Sequence, residues 1–368
     1  MTSVLVVDDS QFMRTVIGNI LADNGYEVYS ASDGKKAVAA VAEHDPDIVT
    51  MDVQMPGMNG IDAVTEIMAT NPTPILMLSA HTSKGADETF EALDKGAVDF
   101  LAKPSGEVSP NIASLADRLV EKVRAVEGVD ATSMTKPRAT ATATAGSTDE
   151  GAWPTHDTGG ESETTASGPY VKHPTIVIGA STGGPKIVEQ IVTSLPVALG
   201  AKVLVVQHMP ASFTDRLAAR LDSLSNYDVY EATDGLRLRD GDIAIARGDY
   251  HMEVVSNVAG NVRIRLTQDE RRHGVRPAID VTMETAAERV SDPLCGVTLT
   301  GMGKDGAAGI AAIKEAGGAT IAQDEASSPV FGIPKKAIET GCVDQVLPAT
   351  DIPEGICSVF SQEAQTHG

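Results

Sequence analysis

Two stretches of this chain alternate short apolar runs with segments of helical period, and this alternation limits the possible folds more than any other feature. In the first stretch, residues 1–127, the apolar runs are SVLVVDD, EVYSAS, PDIVTMD, TPILMLSA and VDFLAKP. Strands that are separated by helices pair in parallel, because each helix returns the chain to the edge where the previous strand began. The pattern therefore predicts a five-stranded parallel sheet.

The second stretch covers residues 174–350, where the runs are TIVIGAS, KVLVVQH, DVYEA, DIAIARG, CGVTLTG and ATIAQ. They predict a second α/β domain with a doubly wound, mostly parallel, Rossmann-like sheet. The segment HMEVVSNVAGNVRIRLTQ alternates apolar and polar residues around a turn-forming centre, which is typical of an antiparallel hairpin. We therefore expect the second sheet to be mixed.

The segment between the two stretches, residues 128–173, loses the alternation and is rich in Thr, Ala, Gly and Ser with scattered acids. Such a composition buries too little apolar surface to order itself, so we expect a flexible acidic linker. Residues 351–368 form a C-terminal segment after the second domain.

The chain is strongly acidic, with 51 acidic residues, 29 basic residues and a net charge of -22. This charge argues against direct binding of nucleic acid. It suits a protein from a salt-rich cytoplasm, although an ordinary acidic cytosolic protein is the alternative. The first residues, MTSVLVVDDS, fit neither a signal peptide nor a membrane-spanning helix, so we expect a cytoplasmic protein without membrane insertion.

Polar side chains follow four strands of the first predicted sheet: Asp8 and Asp9, Asp52, Ser79 and Lys103. The carboxyl ends of parallel strands lie at one edge, where ligands bind in such sheets. Three carboxylates there suit Mg²⁺, and one of them can act as a nucleophile toward phosphorus. The alternative is that the first two only cap the following helix.

In this arrangement residues 1–127 resemble the receiver domain of two-component response regulators, whose fold is flavodoxin-like. The resemblance implies that Asp52 accepts a phosphoryl group from a chemotaxis histidine kinase, with Mg²⁺ as cofactor. It also implies a metal site formed by Asp8, Asp9, Asp52 and the Gln54 backbone carbonyl. Ser79 and Lys103 would contact the phosphoryl group. Phe100 matches the aromatic switch position of that family, but an apolar strand residue is as often plain core.

Three residues of complementary chemistry follow strands of the second sheet. Ser181 lies in the turn of TIVIGASTGGPKIVEQIV, His208 ends KVLVVQH, and Asp305 lies in TGMGKDG. A serine becomes a nucleophile when a histidine accepts its proton and a carboxylate orients that histidine. Two alternatives for Ser181 are a phosphate-binding loop and a helix cap, but GASTGG lacks the usual nucleotide-binding spacings.

The glycines around Met302 leave backbone amides accessible, so the Met302 amide is a candidate donor to an oxyanion. The order Ser, His, Asp differs from that of α/β-hydrolases, and G-A-S-T-G is not their nucleophile motif. The sequence therefore predicts a serine hydrolase on a different scaffold.

The segments GASTGG, VVQHMPASFT, TGMGKDG and FGIPKKAI resemble the catalytic domain of the chemotaxis-specific protein-glutamate methylesterases. The resemblance implies hydrolysis of γ-glutamyl methyl esters on methyl-accepting chemoreceptors, deamidation of receptor glutamines, and recruitment to chemoreceptor arrays. It places the triad on Ser181, His208 and Asp305, with Thr182 beside the nucleophile and the Met302 amide at the oxyanion. It implies no cofactor for the esterase reaction, and an unphosphorylated receiver that covers the crevice until Asp52 is phosphorylated.

One basic cluster stands out in QDERRHGVRPAID and contains Arg271, Arg272 and Arg276. It is a candidate for binding the acidic surface of a receptor. Pairing with the neighbouring acids of the same segment is the alternative. His251 resembles a family motif, but no role follows from its position.

Two other functions remain open at this point. One is a non-enzymatic response regulator whose Rossmann-like domain binds a nucleotide at GASTGG. The other is a receiver-controlled amidase that acts mainly on glutamine side chains and shares the triad.

Overall fold

The structure is a computed structural model that describes residues 1–79, 82–103, 110–131 and 170–362. Most of the predicted linker, residues 132–169, and residues 363–368 of the C-terminal segment lie outside the described residues.

The N-terminal domain contains a parallel five-stranded sheet in the order β2-β1-β3-β4-β5, as the sequence predicts. Its strands are β1 (Ser3–Val7), β2 (Glu27–Ala31), β3 (Ile48–Asp52), β4 (Ile75–Ser79) and β5 (Asp99–Ala102). Strands β3, β4 and β5 are buried along their whole length, because helices cover both faces of the sheet. Strands β1 and β3 are neighbours, which brings the residues that follow them together.

The helices of this domain connect successive strands, except for the last. They are α1 (Gln11–Asp23), α2 (Gly34–His44), α3 (Gly60–Thr70), α4 (Ser83–Asp94) and α5 (Pro110–Val126). Helix α1 is capped by Ser10, whose hydroxyl accepts from the Met13 amide at 3.4 Å. The predicted alternative, a cap formed by Asp8 or Asp9, is therefore wrong; Asp8 instead accepts from the Ser10 amide at 2.9 Å with one oxygen and pairs with Lys103 through the other.

The C-terminal domain contains a seven-stranded sheet in the order β15-β14-β13-β6-β7-β10-β8, in which all the pairs are parallel. Its strands are β6 (Thr175–Ala180), β7 (Lys202–Gln207), β8 (Asp228–Glu231), β10 (Asp242–Ile245), β13 (Leu294–Thr298), β14 (Ala319–Gln323) and β15 (Gln345–Leu347). Strand β6 lies at the centre of the sheet, between β7 and β13. The strands that follow β6 are therefore added first on its β7 side and later on its β13 side, so the strand order reverses at β6. Ligand sites of open α/β sheets form at such a switch point.

The predicted hairpin is present, but it does not join this sheet. Its strands β11 (His251–Val258) and β12 (Asn261–Thr267) pair with the short β9 (Arg237–Leu238) in a separate antiparallel sheet. The expectation of a mixed main sheet is therefore wrong. The alternating apolar residues of β11 and β12 pack with helix residues, including Met283, in a second core cluster instead of adding an edge to the main sheet.

Six helices cover the C-terminal domain: α6 (Gly184–Ser194), α7 (Ala211–Leu224), α8 (Ile279–Arg289), α9 (Ala307–Glu315), α10 (Ile333–Glu339) and α11 (Ile352–Val359). Helix α11 packs on β14 and α6, and Tyr170 bridges to Ser361 beside it. Among the helices of the described residues, none is both long and apolar enough to cross a membrane.

Candidate active site

The carboxyl edge of the N-terminal sheet forms an acidic pocket. Carboxylate oxygens of Asp8, Asp9 and Asp52 lie within 4.8 Å of one another. The Lys103 ammonium lies 2.7 Å from Asp8 and 2.9 Å from Asp52. Burial raises the pKa of Asp52, and the nearby Asp8 charge adds to this effect, while Lys103 opposes it. Three converging carboxylates and one lysine suit a hard divalent cation and a phosphoryl group.

The other predicted receiver residues surround this pocket. Ser79 is fully buried at the end of β4, and its hydroxyl donates to the Gly85 carbonyl at 2.9 Å. The Gln54 side chain donates to Glu88 at 2.8 Å, so it points away from the acidic cluster. The metal contact predicted for Gln54 uses its backbone carbonyl, and this role stays a prediction, like the phosphoryl contact of Ser79.

Ser181 lies in the turn between β6 and α6 and is 8% exposed. Its amide donates to the Thr300 carbonyl at 3.0 Å, and its carbonyl accepts from the Gln207 side chain at 2.8 Å. Helix α6 is capped by Gly183 in the left-handed conformation, without a side-chain hydrogen bond. The Ser181 hydroxyl therefore does not cap the helix, which contradicts one alternative interpretation.

His208 and Asp305 meet beside this turn. The Asp305 carboxylate lies 2.8 Å from His208 Nε2 and also accepts from the amides of Ile279 at 2.7 Å and Asp280 at 2.9 Å. Burial favours the neutral acid, but the hydrogen bonds and charge of His208 and the two amides outweigh it and lower the pKa of Asp305. The carboxylate therefore stays charged where it can orient the imidazole.

Ser181 and His208, the candidate nucleophile and base, lie in one crevice of about 460 Å³, which is also lined by Asp305, Met302 and Thr182. Among the described residues, no hydrogen bond joins the Ser181 hydroxyl to His208. Such contacts are often open in free enzymes and close when substrate binds. The Met302 amide likewise has no acceptor among the described residues, which leaves it available to an oxyanion.

Gly301 packs directly against the nucleophile turn. A Cβ atom at this position would lie 2.6 Å from Ser181 Cβ, which is too close for that atom to remain in place, and 3.0 Å from the Ser181 amide nitrogen. The Gly301 carbonyl also accepts from the amides of Gly332 and Ile333 at 3.0 and 2.7 Å, which limits movement of the loop. The glycine is therefore required by close approach.

With Ser181 as the predicted nucleophile, we expect Gly301→Ala to lower kcat by roughly 100-fold, because an ångström-scale displacement of a catalytic group has an effect of this size. The measurement is methanol release from a methyl ester substrate, with circular dichroism to verify folding. Gly317→Ala is the matched control, since Gly317 also has a positive φ but has no atom within 4 Å of the added Cβ. Equal losses in the two variants would contradict the close-approach argument.

The three arginines of the predicted basic cluster have different surroundings in the structure. Arg271 lines the crevice, has a half-exposed side chain and lies 3.2 Å from Asp249. Arg276 also lines it, but its guanidinium donates to two loop carbonyls at 2.8 Å. Arg272 pairs with Glu284 of α8 and is not among the residues that line the crevice. Arg271 and Arg276 therefore lie where a substrate could contact them, whereas the guanidinium of Arg272 faces α8.

His251 is the first residue of β11, and its ring bonds the backbone of two other segments. It is 2% exposed, its Nδ1 accepts from the Ala278 amide at 3.2 Å, and its Nε2 contacts the Glu270 carbonyl at 3.0 Å. Since Nδ1 accepts, Nε2 carries the proton and donates. His251 therefore holds both ends of the segment that forms one wall of the crevice.

The N-terminal domain covers this crevice. Phe100 and three residues of α5, Arg118, Glu121 and Lys122, line it together with the triad. The Lys122 ammonium pairs with the buried Asp99 and lies 3.4 Å from the hydroxyl of Thr182, the neighbour of Ser181. A cation of one domain is thus held beside Thr182, the residue that follows the candidate nucleophile of the other.

An aromatic cluster joins the two domains beside the crevice. Phe213 of α7 is fully buried, and its ring stacks on Phe100 at 4.4 Å and meets Phe90 edge-on at 6.5 Å. Arg220, about two turns further along the same face of α7, bonds both carboxylate oxygens of Asp94 at 2.8 and 2.9 Å. The predicted switch residue is therefore part of a buried core that is shared between the domains.

Sequence reasoning missed three residues of the site: Gln207, Phe213 and Lys122. Gln207 directly precedes His208, and its place at a strand end was a usable signal. Phe213 and Lys122 lie on helical faces that look like ordinary core and surface in the sequence. Their function depends on the packing of one domain against the other, which local periodicity does not report.

Comparisons with known proteins agree with both domains. Residues 176–356 match the CheB methylesterase family, and residues 4–109 match the response regulator receiver domain. The chain is 55% identical over 368 residues to the protein-glutamate methylesterase/protein-glutamine glutaminase of Haloarcula marismortui, with 98% of each chain covered. It is 52% identical to that of Halobacterium salinarum, with 97% and 98% covered. These haloarchaeal relatives agree with the predicted salt-rich habitat.

A solved structure is also similar. The CheB methylesterase catalytic domain of Thermotoga maritima is 44% identical, with a TM-score of 0.48, and the match covers 50% of this chain and 97% of that one.

Proposed function

The chain belongs to the protein-glutamate methylesterase/protein-glutamine glutaminase family, and we propose that Ser181, His208 and Asp305 carry out its hydrolysis of receptor γ-glutamyl esters and amides. Family membership makes the chain a carboxylic ester hydrolase with a receiver domain, which decides against a non-enzymatic nucleotide-binding regulator. The observation that carries the proposal is the 2.8 Å contact of His208 with Asp305 in the crevice that also contains Ser181.

In the proposed acylation step, the Ser181 hydroxyl attacks the side-chain carbonyl of a methylated glutamate. His208 accepts the hydroxyl proton through Nδ1, the ring nitrogen that Asp305 leaves free. Asp305 stabilises the resulting imidazolium, and the Met302 amide donates to the oxyanion. His208 then returns the proton to the leaving oxygen, and methanol departs.

In the deacylation step, water attacks the acyl-enzyme with His208 again as the base, and glutamate is released with Ser181 restored. A glutamine substrate follows the same course with ammonia as the leaving group. The name of the relatives supports both reactions, so the amidase alternative becomes a second substrate of one site. The relative rates are measured by methanol and ammonia release from matched receptor substrates.

For the receiver domain, we propose that Asp52 accepts a phosphoryl group from a histidine kinase. The cluster of Asp8, Asp9 and Asp52 fits Mg²⁺ in charge, ligand type and spacing. When bound, this ion supplies positive charge that offsets the charge of the phosphoryl oxygens. Lys103 already lies 2.9 Å from Asp52 and neutralises the same region.

Control of the esterase is proposed to act through access to the crevice. Lys122 beside Thr182 and the Phe100–Phe213 contact support an unphosphorylated state in which the receiver blocks a receptor helix. Phosphorylation would favour a second arrangement in which the domains separate. The substrate is proposed to be a cytoplasmic segment of a chemoreceptor within its array, with Arg271 contacting its acidic surface.

Trapping of Ser181 with a serine-reactive phosphonate tests the nucleophile and its control together. The full chain is incubated with the probe with and without a small phosphodonor and Mg²⁺, and the modified peptide is identified by mass spectrometry. We expect modification of Ser181 that becomes faster with the phosphodonor. Modification of another serine would overturn the triad, and an unchanged rate would overturn control by access.

The Arg220 contact gives a quantitative test of the domain interface. We expect Arg220→Ala to raise the activity of the unphosphorylated chain by roughly 3- to 10-fold, because a hydrogen-bonded ion pair contributes on the order of 1 kcal/mol. Arg265→Ala is the matched control, since Arg265 lies on β12 and pairs with Glu253 of the same domain. A fall in activity, or equal changes in both variants, would contradict the interface argument. Activity is measured as methanol release without a phosphodonor.

A further inference from the structure

Two carboxylates of the catalytic domain, Asp305 and Asp280, each accept hydrogen bonds from the N-terminus of the helix next to the other. Asp305, which lies just before α9, accepts from the Ile279 and Asp280 amides at the start of α8, at 2.7 and 2.9 Å. Asp280 accepts through Oδ1 from the Gly306 and Gly309 amides at the start of α9, both at 2.8 Å. The N-termini of α8 and α9 therefore exchange capping carboxylates, and one of these carboxylates belongs to the proposed triad.

We infer that Asp280 is a positioning residue, which holds Asp305 in the orientation that bonds His208. The inference rests on the proposed function, since it requires Asp305 to act through His208. The Asp305 Oδ2 atom contacts both His208 Nε2 and the Ile279 amide. Its direction therefore depends on where the start of α8 lies relative to the turn before α9. Asp280, which lies on α8, bonds the start of α9 and so also fixes the position of α8 relative to the turn before α9.

The turn that carries Asp305 needs such an anchor. Gly303 and Gly306 flank the segment at φ values of 94° and 100°, and glycines leave a turn with many accessible conformations. The Gly306 amide, which bonds Asp280, lies one residue after Asp305. Asp280 thus restrains the backbone next to the triad carboxylate without touching the reacting atoms.

The burial and charge of Asp280 indicate that its contacts are specific. The side chain is 1% exposed, and its second oxygen lies 2.8 Å from His273 Nε2 and 3.6 Å from the Arg272 guanidinium. A buried carboxylate is stable only when it is paired and hydrogen-bonded. An acid in the first turn of a helix commonly stabilises its own N-terminus. This one caps the neighbouring helix and contacts the segment that leads into the crevice wall.

The test compares Asp280→Ala with Asp280→Asn in the full chain. Alanine removes every acceptor for the Gly306 and Gly309 amides, so we expect kcat for methanol release to fall by roughly 100-fold with KM changed less than about threefold. Asparagine keeps one acceptor oxygen for the two amides, so kcat should return to within about tenfold of the parent. The rate of Ser181 modification by the phosphonate, which needs no receptor binding, should follow kcat in both variants.

Asp344→Ala is the matched control. The Asp344 carboxylate accepts from the Thr320 amide at 3.0 Å near the start of β14, at the sheet edge opposite the crevice. Asp344 also pairs with Lys314 near the C-terminal end of α9, so the variant reports the loss of a hydrogen-bonding carboxylate at the opposite end of this helix from Asp305, and its kcat should stay near that of the parent. If Asp280→Ala does not fold, Asp280→Ser replaces it, because the shorter side chain cannot reach both amides.

Parent-like kcat in a folded Asp280→Ala or Asp280→Ser variant would overturn the inference. It would also be overturned if Asp280→Asn were as slow as the variant without an acceptor, because the charge would then matter rather than the position. Failure of the proposed function has a different signature, namely an active Ser181→Ala variant. An inactive Ser181→Ala variant together with parent-like Asp280 variants would leave the triad intact and remove only the role of Asp280.

Discussion

Ser181→Ala is expected to lower the rate of methanol release by about 10⁶-fold, because the loss of a triad nucleophile has an effect of this order in other serine hydrolases. The variant should keep its fold, since the Ser181 hydroxyl makes no hydrogen bond to another described residue and does not cap α6. The amide and carbonyl of Ser181, which hold the turn, are unchanged by the substitution. Methanol release from methylated receptor membranes measures the effect.

Ser223→Ala serves as the control for this substitution. Ser223 lies near the end of α7, and its hydroxyl bonds the Arg220 carbonyl of its own helix at 2.7 Å and no other residue in the described part of the chain. We expect parent-like activity from this variant. Undiminished methanol release by Ser181→Ala would exclude the triad as proposed and require another nucleophile in the crevice.

The sequence predicted the parts of the fold that depend on local pattern. Fully apolar runs such as TPILMLSA predicted buried parallel strands, and β4 is buried throughout. The position of Ser181, His208 and Asp305 after three strands predicted that they share one edge. That argument holds because the carboxyl ends of neighbouring parallel strands cannot lie far apart.

The features that sequence reasoning missed depend on contacts between distant segments. The hairpin of β11 and β12 has a clear alternating pattern, but the pattern does not say which sheet it joins. Arg272 was predicted either to bind a receptor or to pair with acids of its own segment; it lies 3.6 Å from Asp280 of that segment, but its closer partner is Glu284 of α8, which the sequence did not indicate. Lys122 is 60 residues from Thr182 along the chain, and only the docking of two domains brings them together.

Asp52→Asn is expected to abolish the rise in esterase activity that a phosphodonor produces, while the basal rate remains. The amide keeps the size of the side chain but lacks the anionic oxygen that attacks phosphorus. The basal rate should persist because Asp52 lies on the receiver sheet and makes no contact with the triad. Methanol release is measured with Mg²⁺, with and without a small phosphodonor.

Asp33→Asn is the control for this second substitution. Asp33 caps α2 by accepting from the Lys36 amide at 2.9 Å, and asparagine is an equally good cap. The control should therefore respond fully to the phosphodonor. An undiminished response in Asp52→Asn would place the acceptor on another residue.

The double variant Asp52→Asn/Arg220→Ala separates the phosphorylation chemistry from the release of the domains. If phosphorylation acts by weakening the interface, removal of the Arg220–Asp94 contact should raise the basal rate of the double variant as it does in the single variant. The phosphodonor should add nothing further, because the acceptor is absent. A basal rate that stays at the Asp52→Asn level would mean that Arg220 acts only through the phosphorylated state, and the interface would then not be the barrier to the crevice.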